Sequence, residues 1–240
     1  MVHYLSLANL IYNGVKDVGS DQLFKKKKFR KAKELARSKA KKSPCATIAV
    51  VCEDKKSLPS YLKELIKYYR LNTANIIIVP SKGSAPINVV DHAIEMAKNT
   101  PGIDHVACVF DRDAHESYER AISKLNRLKP GRNDKSKPIY RAITSTPCYE
   151  IWLLLHFCYT TKAYHTSGTK SAGDKLVSDL CNYLASYKKN TTEWFREIIN
   201  NLELAVKHAK QLKKHNYSTN STNPSTDIHE LVEFLIELKK

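Results

Sequence analysis

Two apolar runs, Ile48-Ala49-Val50-Val51-Cys52 and Val106-Ala107-Cys108-Val109-Phe110, constrain the fold of this chain more than any other feature. Both are dense in β-branched residues, too short for a buried helix, and predict strands covered on both faces. Both end on acid: Glu53 follows the first run directly, and Asp111-Arg112-Asp113 follows the second. In open α/β sheets the functional crevice lies beyond the carboxyl ends of the strands. Glu53, Asp111 and Asp113 are therefore expected to meet in one crevice. On an extended segment Asp111 and Asp113 point the same way, on either side of Arg112. Clustered carboxylate oxygens suit Mg²⁺ or Mn²⁺, and those ions suit phosphate chemistry. An Asp-x-Asp alone is equally turn chemistry. The convergence of two acid-tipped strands is what points to a metal.

The intervening sequence alternates in a way that supports a sheet. A strand over 47–52 precedes a helix that opens at Ser57 and Pro59, with Tyr61, Leu62, Leu65, Ile66 and Tyr69 at helical spacing. A strand at 76–79, a helix from Pro86 to about Lys98, a strand at 106–110 and a charged helix over 116–128 follow. A run at 138–143 reads as a fourth, edge strand, because proline favours edges and strand starts. This rhythm predicts an α/β fold with a mainly parallel sheet and right-handed crossovers. The last third changes character. It predicts a buried helix over 147–157, amphipathic helices over 173–188 and 192–214, a polar loop over 215–224, and a closing helix with Ile228, Leu231, Val232, Leu235 and Ile236 on one face. Three segments result: a basic arm (1–45), an α/β core (46–160) and a helical extension packed on it (161–240).

Charge is unevenly placed. The net charge is +16, and residues 25–42 hold eleven Lys and Arg against the single Glu34. Lys25, Lys26, Lys27, Lys28 and Arg30 begin this block. Such a block attracts phosphate backbones by counterion release, although it can also serve as a plain solubilising segment. Its neighbourhood to an acidic site favours nucleic acid. The six cysteines, at 45, 52, 108, 148, 158 and 181, form no Cys-x-x-Cys pair, so zinc is not expected. Reduced thiols, no membrane span and no signal peptide are expected, hence a cytoplasmic protein.

Five further positions stand out. Glu150 stands among Tyr149, Ile151 and Trp152, where a lone carboxylate costs free energy unless metal-bound or paired with Arg112, Arg141 or a lysine. Lys82-Gly83-Ser84 follows a strand and can offer an ammonium to phosphate, but it lacks the two spaced glycines of a Walker A loop and also fits a simple turn. Arg112 and His115 are placed to hold a phosphate or a water. His156, at the end of the buried helix, reads as a hydrogen-bonded core histidine.

Several of these segments resemble the RloB family. They are Val50–Glu53 with Ser57-Leu58-Pro59-Ser60-Tyr61-Leu62, Val109–His115, and Ser145-Thr146-Pro147-Cys148-Tyr149-Glu150-Ile151-Trp152-Leu153. Asn223-Pro224-Ser225-Thr226-Asp227 is similar to the end of that family. The resemblance covers about residues 45–235. It implies a TOPRIM-like fold and a role in prokaryotic anti-phage and abortive-infection systems, often beside a partner ATPase. By that likeness Glu53 is a metal ligand or general acid/base, Asp111 and Asp113 are metal ligands, and Glu150 completes the site. The chain departs from the family pattern at Asp54, where glycine is usual, and at Ser57-Leu58, where a threonine-glutamate pair is usual. The leading expectation is a Mg²⁺-dependent nuclease acting on DNA or RNA, tRNA included. The alternatives are a non-catalytic nucleic-acid-binding regulatory subunit and an aspartate-nucleophile phosphatase. The phosphatase normally has a threonine where His115 stands.

Overall fold

A computed structural model describes residues 46–112, 115–128, 137–189 and 191–239, all within the compact unit Cys45–Lys240. Asp113 and the basic block with Lys25, Lys26, Lys27, Lys28 and Arg30 lie outside the described residues.

The expected α/β architecture is present. Strands β1 (Ile48–Cys52), β2 (Ile76–Pro80), β3 (His105–Asp111) and β4 (Ile139–Thr146) are parallel, in the order β2-β1-β3-β4. Helices α1 (Ser57–Tyr69), α2 (Pro86–Asn99) and α3 (Tyr118–Arg127) make the crossovers. Residues alternate across β1: Ile48, Val50 and Cys52 join one apolar cluster, while Ala49 and Val51 join the other. The first cluster packs α1 with the C-terminal helices, and the second packs α2 and α3.

The start of α1 is fixed by a carboxylate just upstream of it. Asp54 accepts from Lys56 N and Leu58 N, both at 3.0 Å, and so satisfies helix N–H groups that would lack partners. The hydroxyl of Ser57 instead donates to the Lys189 carbonyl at 2.8 Å.

The C-terminal third differs from expectation in detail. The buried helix over 147–157 shortens to α4 (Glu150–Leu154), and 173–188 becomes α5 (Ala172–Cys181) followed by turns. The next helix divides into α6 (Phe195–Ile198), a 3₁₀ turn and α7 (Leu202–Thr219), which runs into the segment read as loop. Beyond it lie β5 (Ser225–Thr226) and α8 (Ile228–Glu237). Strand β5 pairs antiparallel with Ser145 and Thr146, so β4 has a neighbour at its carboxyl end and is an edge only before it. Such a two-residue strand gives no periodic signal. Its place comes from hydroxyl pairs with β4: Thr226 with Ser145 and Ser225 with Thr146, each at 3.0 Å. The Thr146–Pro147 and Asn223–Pro224 peptide bonds, on either side of this pairing, are cis.

The described cysteines are free, and Cys52 and Cys108 are buried as small apolar groups. No helix among the described residues is long and apolar enough to cross a membrane.

Candidate active site

The parallel register of β1 and β3 sets the site. Cys52 lies opposite Val109, so Glu53 and Asp111 leave adjacent strands at the same end of the sheet. Glu53 N donates to the Val109 carbonyl at 2.9 Å, and Asp111 N donates to Glu53 Oε2 at 3.1 Å. The second bond turns the Glu53 carboxylate toward Asp111 and fixes it in one place. Both side chains are half-buried and line two clefts, one on each side. The larger, of about 910 Å³, continues past Arg112, His115, Cys148 and His165. The smaller, of about 400 Å³, runs past Asp54, Ser84 and Tyr149.

The larger cleft is also lined by Arg112, His115 and His165, with Ser171 and Gly173 at the start of α5. The Arg112 guanidinium lies 3.6 Å from Glu119 and 5.0 Å from the centre of the Tyr118 ring, which restricts its rotamers. Ser117 N approaches His115 Nδ1 at 3.2 Å, so the neutral imidazole carries its proton on Nε2. The far wall is tied to the end of the chain: Tyr164 N donates to Asn223 Oδ1 at 3.1 Å, and Asn223 Nδ2 donates to the Tyr164 carbonyl at 2.7 Å.

Two of the residues singled out by sequence stand elsewhere. Glu150 is 4% exposed and behind the cleft wall, whose lining reaches Cys148 and stops short of it. Its Oε1 accepts from the Tyr187 hydroxyl at 2.8 Å and lies 3.4 Å from Lys189 Nζ. The lysine pairing allowed by the sequence is the arrangement found. Lys82 lines neither cleft; it pairs with Glu95 at 2.6 Å on an exposed surface, which leaves its loop as a turn. His156 is buried in the core, with Nδ1 3.0 Å from the Trp152 carbonyl, as expected of a core histidine.

Sequence patterns alone point to neither Lys189 nor His165. Partial burial opposes the charge on Lys189, yet Glu150 and Asp111 outweigh it and raise its pKa above the ordinary lysine value. Burial pushes the Cys148 thiol well above its usual range, with the charges of Glu150 and Asp111 adding to it, which favours the thiol over the thiolate. Cys148 lies in the segment quoted for the family resemblance; His165 and Lys189 carry no local motif, and Lys189 reaches Glu150 rather than the cleft lining.

Among the described residues no group of three or more His, Cys, Asp or Glu side chains is arranged to hold a metal ion. Glu53 and Asp111 are a pair of hard oxygen donors. Such donors suit Mg²⁺, which is usually held by one or two carboxylates, with waters and substrate phosphate oxygens filling the other positions. No curated protein and no solved structure matches the chain. The family model described as RloB-like protein matches residues 48–235, from the first residue of β1 into α8. The match takes in both acid-tipped strands and the segments that wall the cleft, and the chain belongs to the RloB-like family.

Proposed function

We propose that this protein is a TOPRIM-type nuclease that hydrolyses phosphodiester bonds in DNA or RNA, tRNA included, with Mg²⁺ or Mn²⁺ as cofactor. The observation that carries the reading is the Glu53–Asp111 pair, held by a backbone hydrogen bond at the carboxyl ends of adjacent parallel strands in a cleft that Arg112 also lines. Asp111 would hold the ion, with Asp113 as a further ligand; when bound, it supplies Lewis-acid stabilisation of the phosphoryl oxygens. Arg112 offers a phosphate two parallel N–H donors, and His115 adds a donor at Nε2. Glu53 takes the proton of the attacking water at its carboxylate. The basic block from Lys25 to Arg30 holds the nucleic-acid backbone without reading sequence. Membership of the RloB-like family supports a place in prokaryotic anti-phage defence, in the cytoplasm and beside a partner ATPase.

The test is cleavage of plasmid, single-stranded DNA and total tRNA with Mg²⁺, Mn²⁺ or chelator. Glu53→Gln lowers cleavage by about 100-fold or more, the size expected for a general base, and leaves nucleic-acid binding within about twofold. Unchanged cleavage refutes the assignment. Tight, steeply salt-dependent binding without cleavage in either metal would replace the nuclease by a non-catalytic binding subunit.

A further inference from the structure

A third cavity, of about 230 Å³, opens beside the larger cleft and shares Arg112 and Thr222 with it. Its wall is formed by Tyr118, Asn216, Ser221 and Asp227, from α3, α7 and the chain entering and leaving β5. Pockets for whole drug-sized ligands usually span about 300–1,000 Å³, so this one holds only part of a nucleotide. Its chemistry suits a base. Asp227 is anchored through both carboxylate oxygens, by Lys213 Nζ at 2.8 Å and the Thr144 hydroxyl at 3.2 Å, and each oxygen keeps a lone pair for a further donor. Asn216 is 9% exposed; its Nδ2 donates to the Pro224 carbonyl at 2.7 Å, while its buried Oδ1 has no partner among the described residues. At the mouth, the Arg112 guanidinium and the Tyr118 ring supply a planar cation and an aromatic edge.

We infer that this cavity receives one unpaired nucleobase, and that the substrate is therefore single-stranded at the nucleotide next to the phosphate in the larger cleft. The inference rests on the nuclease reading for that neighbouring phosphate. A base still paired in a duplex has its hydrogen-bonding edge occupied and its neighbours stacked, and cannot enter a walled recess of this size. An unpaired base enters without the cost of flipping, stacks at Arg112 and Tyr118, and meets the Asp227 carboxylate with an amino or imino group.

The test uses the full chain carrying Glu53→Gln and a short fluorescent oligonucleotide, single-stranded or annealed to its complement. The single strand is expected to bind about tenfold more tightly, as one stacked base provides. Ser221→Trp, on the cavity rim and outside the larger cleft, fills the recess. It brings the two affinities within about twofold of each other and leaves duplex binding unchanged. A free nucleoside, which carries no phosphate, provides a second readout that needs no further variant, because it competes with the single strand and not with the duplex. Equal or tighter duplex binding, or a single-strand preference that survives both Ser221→Trp with an unchanged melting temperature and nucleoside competition, overturns the inference. Failure of the nuclease reading is seen separately, when the unsubstituted chain with Mg²⁺ leaves intact an oligonucleotide that the Glu53→Gln chain binds.

Discussion

On the face of the sheet that carries α1, α4 and the helices after it, β1 and β3 contribute Ile48, Val50, Cys52, Ala107 and Val109 to a core that holds both tryptophans. On the face under α2 and α3, the same strands meet Val89, Val90, Ala93, Ala121 and Leu125, with Phe110 as the large side chain at the centre. The thick face is made largely by the last third of the chain: Leu176, Trp194, Leu212 and Leu235 share one cluster with Tyr61 of α1 and Ile48 of β1. That third also supplies Tyr164, Ser171 and Asn223 to the cleft wall. The thin face holds the strands in register but gives the larger cleft no wall. The helices after β4 are thus as much a part of the site as the strands that bear its carboxylates.

The contrast in stability is the sharpest way to break this comparison. Trp152→Ala, at a fully buried position on the thick face, is expected to cost about 3–5 kcal/mol, while Leu125→Ala on the thin face costs about 2 kcal/mol. Urea unfolding of the two variants measures both; equal losses would mean that the faces contribute alike.

A pH series sharpens it next. Burial depresses the pKa of His156, on the thick face, to about 4. The unfolded chain takes up this proton near pH 6.5 and the folded chain only near 4, so the unfolded state binds more protons between those values. The contribution of His156 is complete above about pH 6.5 and is lost as the pH falls toward 4, by roughly 3 kcal/mol in all. His156→Leu should flatten the stability profile across that window. An unchanged slope would place the acid sensitivity in the carboxylates.

The smallest expected effect concerns Glu150. Glu150→Gln keeps an acceptor for the Tyr187 hydroxyl and loses the charge that pairs with Lys189, whose side chain is 62% exposed, so about 1 kcal/mol or less of stability is at stake. Cleavage should persist. A 100-fold loss of cleavage with an unchanged melting temperature would return Glu150 to the chemistry that the sequence suggested for it.

These differences explain what could be read in advance. The pair Glu53 and Asp111 was legible because each ends a contiguous apolar run, and a parallel sheet aligns such ends. Asp54 shows the limit of local rules. Ser57 and Pro59 announce a helix start, but the bonds to its first N–H groups come from a carboxylate further upstream. Glu150 was ambiguous because its partners, Tyr187 and Lys189, lie in a turn region distant in sequence. Lys82 followed a strand, as a phosphate-binding lysine would, and was drawn instead to Glu95 on the next helix.

The sequence alone determined a mainly parallel α/β sheet and the end at which its acids emerge, because strand periodicity, helix starts and apolar runs are properties of neighbours along the chain. Tertiary structure decided which charges face the cleft, that Ser225 and Thr226 would extend the sheet, and that a base-sized recess would open beside Arg112. Those outcomes depend on contacts between residues far apart in sequence, where burial and pairing override what each segment favours by itself.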